Sequence, residues 1–374
     1  MATASRNEPV KVLIVDDSAS ARLMLRRIIE TDPSLQVSGL AQDAYAAARI
    51  MRSELPDVIL LDLEMPGIDG MTFLRRIMQQ HPLPVVICST LTEDGSRRSV
   101  EAMETGAVDV IRKPALHDAG AKSEATVRIC DALQAAAMSR SRLRNSPIRQ
   151  PKPLIATQKL TADEILPPPN FTRPVPPGPL VVCMGASTGG TEALREVLCA
   201  LPADCPPVVI VQHMPKGFTA AFARRLDSLA TIRIREAEDG MTVSTGEAVI
   251  APGDSHMILR RRTSGYYVNV TDGPAVSRHR PSVDVLFRSA ATCAGPNALG
   301  ILLTGMGDDG ATCLGEILKA GGASIAQDEA TSVVFGMPGE AVRKGHAQQV
   351  LPLQKMPAAI VSFARKTATM GGTA

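Results

Sequence analysis

Residues Val181-Val182-Cys183-Met184-Gly185-Ala186-Ser187-Thr188-Gly189-Gly190 constrain the rest of the chain more than any other stretch. A short apolar run passes into small residues, a lone serine and a glycine pair. A helical spacing of Ala193, Leu194, Val197 and Leu198 then takes over. A strand that turns straight into a helix is a unit of parallel α/β architecture. Ser187 falls at the corner, where glycine permits a tight turn and the first helical turn offers free N–H groups to negative charge. The corner suits a nucleophile, and it suits a bound phosphate equally well.

The same alternation of strand and helix patterns runs through residues 8–135. Val10-Lys11-Val12-Leu13-Ile14-Val15 is followed by Asp16, Asp17 and Ser18, then by a helix carrying Leu23, Met24, Leu25, Ile28 and Ile29. Val37 to Leu40, a helix around Ala44 to Arg52, and Val58-Ile59-Leu60-Leu61 continue it, which predicts a doubly wound parallel sheet. Polar residues close the strands: Asp16 and Asp17 the first, Asp62 the run 58–61, Ser89 the run 85–88, and Lys113 the run 108–111. Ligands of an open α/β sheet bind outside these carboxyl ends. Three carboxylates gathered there call for a hard cation such as Mg²⁺ and a nearby ammonium. One of them could then accept a phosphoryl group, contacted by Lys113 and the Ser89 hydroxyl. Taken singly, the aspartates read as helix caps or turn residues.

Asp16-Asp17, Asp62 with Met65-Pro66-Gly67-Ile68-Asp69-Gly70, and Lys113-Pro114 together resemble the receiver domain of bacterial response regulators. The resemblance implies that Asp62 is the phosphoacceptor, that Asp16, Asp17 and Asp62 hold Mg²⁺, and that Lys113 reads the phosphoryl group. It makes Ser89 the switch hydroxyl, with Thr90 adjacent as the alternative. Val110 stands where many receivers carry an aromatic switch residue, so that part of the usual switch is not implied. His81, beside Pro82, reads as a loop residue.

Between residues 136 and 178 the pattern breaks. Residues 138–178 hold nine prolines, and seven Arg or Lys oppose Asp163 and Glu164. A stretch of this composition buries too little apolar surface to form a core and reads as a mobile or partly extended linker. Its positive charge reads as solubilising, with an acidic partner or an anionic surface as the alternative.

Residues 179–365 form the expected second domain. After the run 181–184 comes Pro207 to Val211, ending at Gln212-His213-Met214-Pro215, then a helix from Thr219 to Leu226. Short β-like runs at Glu247–Ala251, Met257–Leu259 and Tyr266–Val270 lie among Asp-Gly, Pro-Gly and Ser-Gly turns and predict hairpins inserted beside the parallel sheet. A helix near Val283 to Thr292 and the strand Leu299 to Leu303 resume the parallel pattern, ending at Thr304-Gly305-Met306-Gly307-Asp308-Asp309-Gly310. Ser187, His213 and Asp309 each follow a β-run, so they can converge at one sheet edge.

Convergence would have a chemical use. A serine hydroxyl needs an imidazole to take its proton, and the imidazole needs a carboxylate to fix its tautomer. The oxyanion formed on carbonyl attack needs fixed N–H donors, for which the turn 305–307 and the helix start after Ser187 are candidates. Gly-x-Ser-x-Gly-Gly also fits a phosphate-binding turn, although Ser187 takes the second-glycine place of a dinucleotide fingerprint. The order Ser, His, Asp differs from that of ordinary α/β-hydrolases, which points to another hydrolase architecture.

Gly185-Ala186-Ser187-Thr188-Gly189-Gly190, Gln212-His213-Met214-Pro215 and Thr304-Gly305-Met306-Gly307-Asp308-Asp309-Gly310 resemble the three signatures of the chemotaxis protein-glutamate methylesterase family, whose domain order also matches. That resemblance implies Ser187 as nucleophile, His213 as general base and Asp309 as orienting carboxylate. It puts the Met306 backbone N–H in the oxyanion hole, gives Thr188 a positioning role and leaves Asp308 as the competing acid. The implied substrates are glutamate methyl esters on methyl-accepting chemotaxis receptors, with glutamine deamidation at the same site and no cofactor for ester hydrolysis. A chemotaxis histidine kinase is the implied phosphodonor, and the expected control is a receiver that covers the esterase face until Asp62 is phosphorylated.

Composition narrows the alternatives. Net charge is +2, from 40 basic and 38 acidic residues, and three Tyr, seven Phe and no Trp give no aromatic platform for nucleic acid. A DNA-binding regulator is further disfavoured by the αβ-patterned output segment, which carries no compact helix-turn-helix signal. A scaffold with a lost esterase site is the other rival. Seven cysteines without C-x-x-C spacing suit free thiols in a reducing compartment. The polar amino end and the absence of a run near the roughly 20 apolar residues that cross a bilayer lead to an expected cytoplasmic protein, recruited to receptor arrays without membrane insertion. Arg260-Arg261-Arg262 read as a hairpin end, Arg278-His279-Arg280 as a segment that could face an acidic receptor segment, and His256 and His346 as solvent-facing or capping residues.

Overall fold

A computed structural model describes residues 8–65, 69–90, 92–114, 119–142, 159–172 and 175–370. The chain divides into two compact units, residues 1–157 and 158–374. Pro66-Gly67-Ile68 of the receiver-like signature lie outside the described residues.

The first unit alternates strictly: β1 (Val10–Val15), α1 (Ala19–Ile29), β2 (Leu35–Ala41), α2 (Ala44–Ser53), β3 (Val58–Leu61), α3 (Gly70–Gln80), β4 (Val85–Ser89), α4 (Glu93–Glu104), β5 (Asp109–Arg112) and α5 (Ala119–Arg142). Its strands form one parallel sheet in the order β2-β1-β3-β4-β5. β3 and β4 are buried along their whole length, as expected of strands covered on both faces. Side chains of Ser18, Asp43, Asp69 and Thr92 cap α1 to α4, accepting N–H groups the helices cannot pair internally. The strand order reverses between β1 and β3, and Asp16 and Asp62 follow those two strands.

The second unit contains β6 (Val181–Ala186), α6 (Gly190–Cys199), β7 (Val208–Gln212), α7 (Phe218–Asp227), β8 (Arg233–Glu236), β9 (Thr242–Val243), β10 (Glu247–Ile250), β11 (His256–Arg262) and β12 (Gly265–Thr271). It continues with α8 (Val283–Cys293), β13 (Ala298–Leu302), α9 (Ala311–Lys319), β14 (Ala323–Gln327), α10 (Met337–Arg343), β15 (Gln349–Leu351) and α11 (Met356–Met370). A parallel sheet in the order β15-β14-β13-β6-β7-β10-β8 carries the fold. β6 lies between β7 and β13, so the chain reverses direction across the sheet at the end of β6, where a ligand crevice opens.

The run Glu247–Ala251, expected as part of a hairpin, instead supplies β10, which pairs in parallel with β7 and β8. The hairpin expectation holds for β11 and β12, which form an antiparallel sheet with β9. Val243, Met257, Leu259, Tyr266 and Val268 from this sheet enter the same core as α8 and β6. The hairpin is thereby fixed to the main sheet through α8.

Within the expected connection 136–178, α5 runs to Arg142, and from Lys159 onward the chain contacts the second unit. Thr161 caps a 3₁₀ turn at Ala162–Glu164, Ala162 is buried in the core of the second unit, and Ile165 and Leu166 pack against that core. The composition gives the stretch no core of its own, and it borrows one from the unit that follows. The seven cysteines are free thiols. Among the described residues no helix is long and apolar enough to cross a membrane.

Candidate active site and phosphoacceptor site

The helices after Ser187, His213 and Asp309 start in the same way. α6, α7 and α9 are each preceded by a left-handed glycine, Gly189 (φ 76°), Gly217 (φ 87°) and Gly310 (φ 83°), in place of a side-chain cap. An L-residue is strained there, whereas glycine lets the strand end and the helix begin within a few residues. The three strand ends therefore deliver short, fixed corners to the crevice beside β6.

At the first corner, the N–H of Ser187 donates to the Thr304 carbonyl at 3.0 Å, and the Gln212 side chain donates to the Ser187 carbonyl at 2.9 Å. Thr304 Oγ1 donates to the Thr188 carbonyl at 3.0 Å. Gly305 packs so closely that a Cβ built on it would lie 2.8 Å from Ser187 Cβ. Only glycine admits that approach, and it brings the Gly305–Gly307 turn against Ser187. At the second corner, the N–H of His213 donates to the Ala186 carbonyl at 3.1 Å, next to Ser187 in the chain.

At the third corner Asp309 is buried, and its carboxylate is fully engaged. Oδ2 lies 2.8 Å from His213 Nε2 and accepts the Val283 N–H at 2.7 Å. Oδ1 accepts the Ser282 hydroxyl at 2.8 Å and the Asp284 N–H at 3.0 Å. The backbone donors belong to the start of α8, where helix N–H groups and the dipole favour an anion. Burial pushes the Asp309 carboxyl up to about 6, against the pull of the Asp284 and Val283 N–H groups and the Ser282 hydroxyl. Asp284, also buried, is pushed up to about 6 by burial and by the charge of Asp309.

The structure brings His213 and Asp309 into contact and sets the Ser187 corner beside both strand ends. Asp308 points elsewhere, pairing with Lys159. Residues to which the sequence assigned no part in catalysis also shape the site. His279 stacks on the His213 ring, with centroids 3.7 Å apart and planes at 11°. It sits on a tight turn bridged between Val276 and His279, in which Ser277 (φ 50°) and Arg278 (φ 70°) are left-handed. His256, expected near the surface, is wholly buried on β11. Its Nε2 contacts the Pro274 carbonyl at 2.9 Å, and its Nδ1 accepts the Ser282 N–H at 3.3 Å. Burial pushes its imidazole below the usual range, so the neutral ring supports Ser282, which in turn holds Asp309. The available signals were the Arg278-His279-Arg280 run and the lone His256. Neither is readable as a contact from spacing alone.

In the first unit, one oxygen from each of Asp16, Asp17 and Asp62 lies within 4.8 Å of the others, with Asp17 exposed and the other two buried. An all-carboxylate set at a strand-end crevice fits a hard cation such as Mg²⁺. Lys113 Nζ lies 2.6 Å from Asp62 Oδ2 and 2.8 Å from Asp16 Oδ2. Burial opposes its charge, yet the two carboxylates outweigh burial and hold the ammonium well above its ordinary value. Burial raises Asp62, partly offset by Lys113 and the Glu64 N–H. Ser89 is buried at the end of β4, its carbonyl accepting the Lys113 N–H at 2.9 Å. Thr90 is engaged instead with Glu64 Oε2 at 2.9 Å.

Two family models match the chain: the response regulator receiver domain over residues 12–122 and the CheB methylesterase over residues 182–360. The chain is 59% identical over 98% of its length, and 98% of the relative's, to protein-glutamate methylesterase/protein-glutamine glutaminase 1 of Cereibacter sphaeroides. It is 56% identical to the second protein of that name in Rhodospirillum rubrum, covering 93% of this chain and 96% of the relative. With the third such protein of Rhodopseudomonas palustris it shares 55% identity over 94% and 95% of the two chains. With a receiver unit and an esterase unit in this order, the chain belongs to the two-domain CheB-type response-regulator methylesterase family.

Proposed function

We propose that the second unit is a serine esterase acting on glutamate methyl esters of methyl-accepting chemotaxis receptors, under control of phosphorylation at Asp62. The observation that carries the catalytic reading is the buried Asp309 carboxylate 2.8 Å from His213 Nε2, beside the Ser187 corner. Ser187 Oγ attacks the ester carbonyl carbon while His213 takes its proton on the ring nitrogen opposite Asp309. The Met306 N–H donates to the oxyanion, a role supported by the packing of Gly305 on Ser187. Thr188, whose carbonyl is held by Thr304, fixes the corner. Collapse expels methoxide, which takes the proton from His213 and leaves as methanol. Water, deprotonated by the same imidazole, then hydrolyses the acyl-enzyme. A glutamine side chain passing through the same intermediate releases ammonia, which accounts for the paired activities in the relatives' names.

In the first unit, Asp62 accepts the phosphoryl group, with a chemotaxis histidine kinase as donor. Asp16, Asp17 and Asp62 would hold Mg²⁺, which would supply positive charge against the negative charge gathered at the acceptor. Lys113 contacts the transferred group, and Ser89 supplies the switch hydroxyl. The deciding experiment follows methanol release from a methylated receptor fragment. Release is expected from the intact chain, an increase on phosphorylation, and none from folded Ser187→Ala. Unchanged release from Ser187→Ala would overturn the serine mechanism, and no release from any form would favour a scaffold.

A further inference from the structure

Lys159–Leu166, within the expected connection, meets the rest of the second unit at three polar points. Lys159 Nζ pairs with Asp308. The Leu160 carbonyl accepts the Ser277 N–H at 2.9 Å. Asp163 pairs with Arg288, whose Nη1 also donates to the Leu166 carbonyl at 3.2 Å. Ala162, Ile165 and Leu166 add apolar contact with the core.

Each polar contact leads towards a residue of the proposed triad. Asp308 precedes Asp309 in the chain. Ser277 belongs to the turn that carries His279 onto the His213 ring. Arg288 lies on α8, whose first N–H groups hold Asp309. The last two routes also join, because Ser277 Oγ donates to Asp284 Oδ2 at 3.0 Å.

These contacts hold groups that could not keep their places unaided. Arg288 is 6% exposed, and its buried charge is shared between Glu316 of α9, at 2.6 Å, and Asp163 of the connection. A buried charge that loses one of two carboxylates is poorly compensated. Left-handed φ at two successive non-glycine residues, Ser277 and Arg278, persists only where the surroundings over-determine it. The Leu160 carbonyl is one of the groups that do so. A flexible tether requires none of these interactions.

We infer that residues 159–166 are a positioning strap: they clamp the Val276–His279 turn and α8 in the arrangement that aligns His213 and Asp309. The inference rests on the serine-esterase reading above. Lys159–Leu166 then belong to the working structure of the catalytic unit.

The test uses the full-length chain with residues 159–166 replaced by a Gly-Ser segment of equal length, which preserves the span between the units. Misplacement of His213 and Asp309 should lower kcat for methanol release about tenfold or more with KM unchanged. Hydrogen exchange in peptides covering 276–284 should quicken. Asp163→Ala should give a smaller fall in kcat, and Asp163→Glu should restore most of it. Wild-type kcat in the replaced chain, or unchanged exchange at 276–284, overturns the proposal. If the replaced chain does not fold, the Asp163 pair decides, and equal kcat for Asp163→Ala and wild type overturns it. Ser187→Ala is assayed alongside. If wild-type release does not depend on Ser187, the esterase reading has failed, and hydrogen exchange, which needs no turnover, still decides the strap.

Discussion

Nε2 of His213 lies 2.8 Å from Oδ2 of Asp309, a carboxylate that also accepts from the Val283 and Asp284 N–H groups and the Ser282 hydroxyl. Both oxygens therefore face backbone donors. In Asp309→Asn the amide NH₂ must point at an N–H whichever way it turns, so the variant disturbs the site even though its shape is preserved. Loss of the charge also removes the partner of an imidazolium. Together these changes should lower kcat roughly 10³- to 10⁴-fold. Methanol release under saturating substrate checks this, and a kcat within about tenfold of wild type would reject Asp309 as the orienting acid.

Asp284 lies beside that carboxylate, accepting the Cys313 N–H at 2.9 Å and the Ser277 hydroxyl at 3.0 Å. Its carboxyl is pushed from 3.8 up to about 6 by burial and by Asp309. A group raised in the folded state contributes its full stabilisation below its unfolded value and loses it as pH rises through the folded one. Above pH 6 the wild type thus carries a buried, destabilising negative charge. Asp284→Asn can keep the Cys313 contact through its carbonyl and donate to the Ser277 hydroxyl. It should match wild-type stability near pH 4 and exceed it by on the order of 1–3 kcal/mol above pH 7. Urea unfolding at the two pH values measures the difference, and equal stability at both would contradict it.

The corners of the site were legible in the sequence because parallel strands place the residue after each apolar run at one sheet edge. That rule and the order of elements put Ser187, His213 and Asp309, like Asp16, Asp62 and Lys113, at strand ends, and the family resemblance supplied the roles expected of them. What surrounds them was not legible, for several physical reasons. Ser282, His256 and His279 act through contacts between segments about 25 residues or more apart, which no period records. β10 is a short run among glycine turns, and only its pairing with β7 and β8 distinguishes a sheet strand from half a hairpin. The proline-rich stretch before Val181 has too few apolar residues for a core, and composition cannot show that Ala162, Ile165 and Leu166 would use a neighbouring one.

Gly310 follows Asp309 with φ at 83°, and a Cβ added there would lie 2.4 Å from Val283 Cγ1. Val283 is the residue whose N–H holds Asp309 Oδ2. Gly310→Ala therefore strains the backbone and pushes on the support of the carboxylate at once. Left-handed strain and overpacking in a filled core together should cost about 2–5 kcal/mol of stability. Turnover should fall as well, whereas Gly240→Ala, whose added Cβ meets nothing within 4 Å, should show only the backbone part. Thermal unfolding of the two variants compares them directly, and an equal loss would show that the Val283 contact does not matter.

Lys113 stands between Asp16 and Asp62, both buried, and its removal leaves two carboxylates facing each other without a cation. Lys113→Ala should destabilise the first unit by about 3 kcal/mol in metal-free buffer at neutral pH. The carboxyl of Asp62, already raised by burial and held down chiefly by Lys113, should rise further in the variant. By the linkage sign, the lost stability should return as the pH falls and one carboxylate takes up a proton. Mg²⁺ should restore part of it at neutral pH by replacing the missing positive charge, and Asp17→Ala should remove that rescue while leaving the acid recovery intact. Phosphodonor treatment should fail to raise methanol release in Lys113→Ala, whose basal turnover should remain. Urea unfolding with and without Mg²⁺, paired with the release assay, measures both effects. A variant as stable as wild type without metal, or one still activated by phosphodonor, would mean that Lys113 neither balances the two carboxylates nor reads the phosphoryl group.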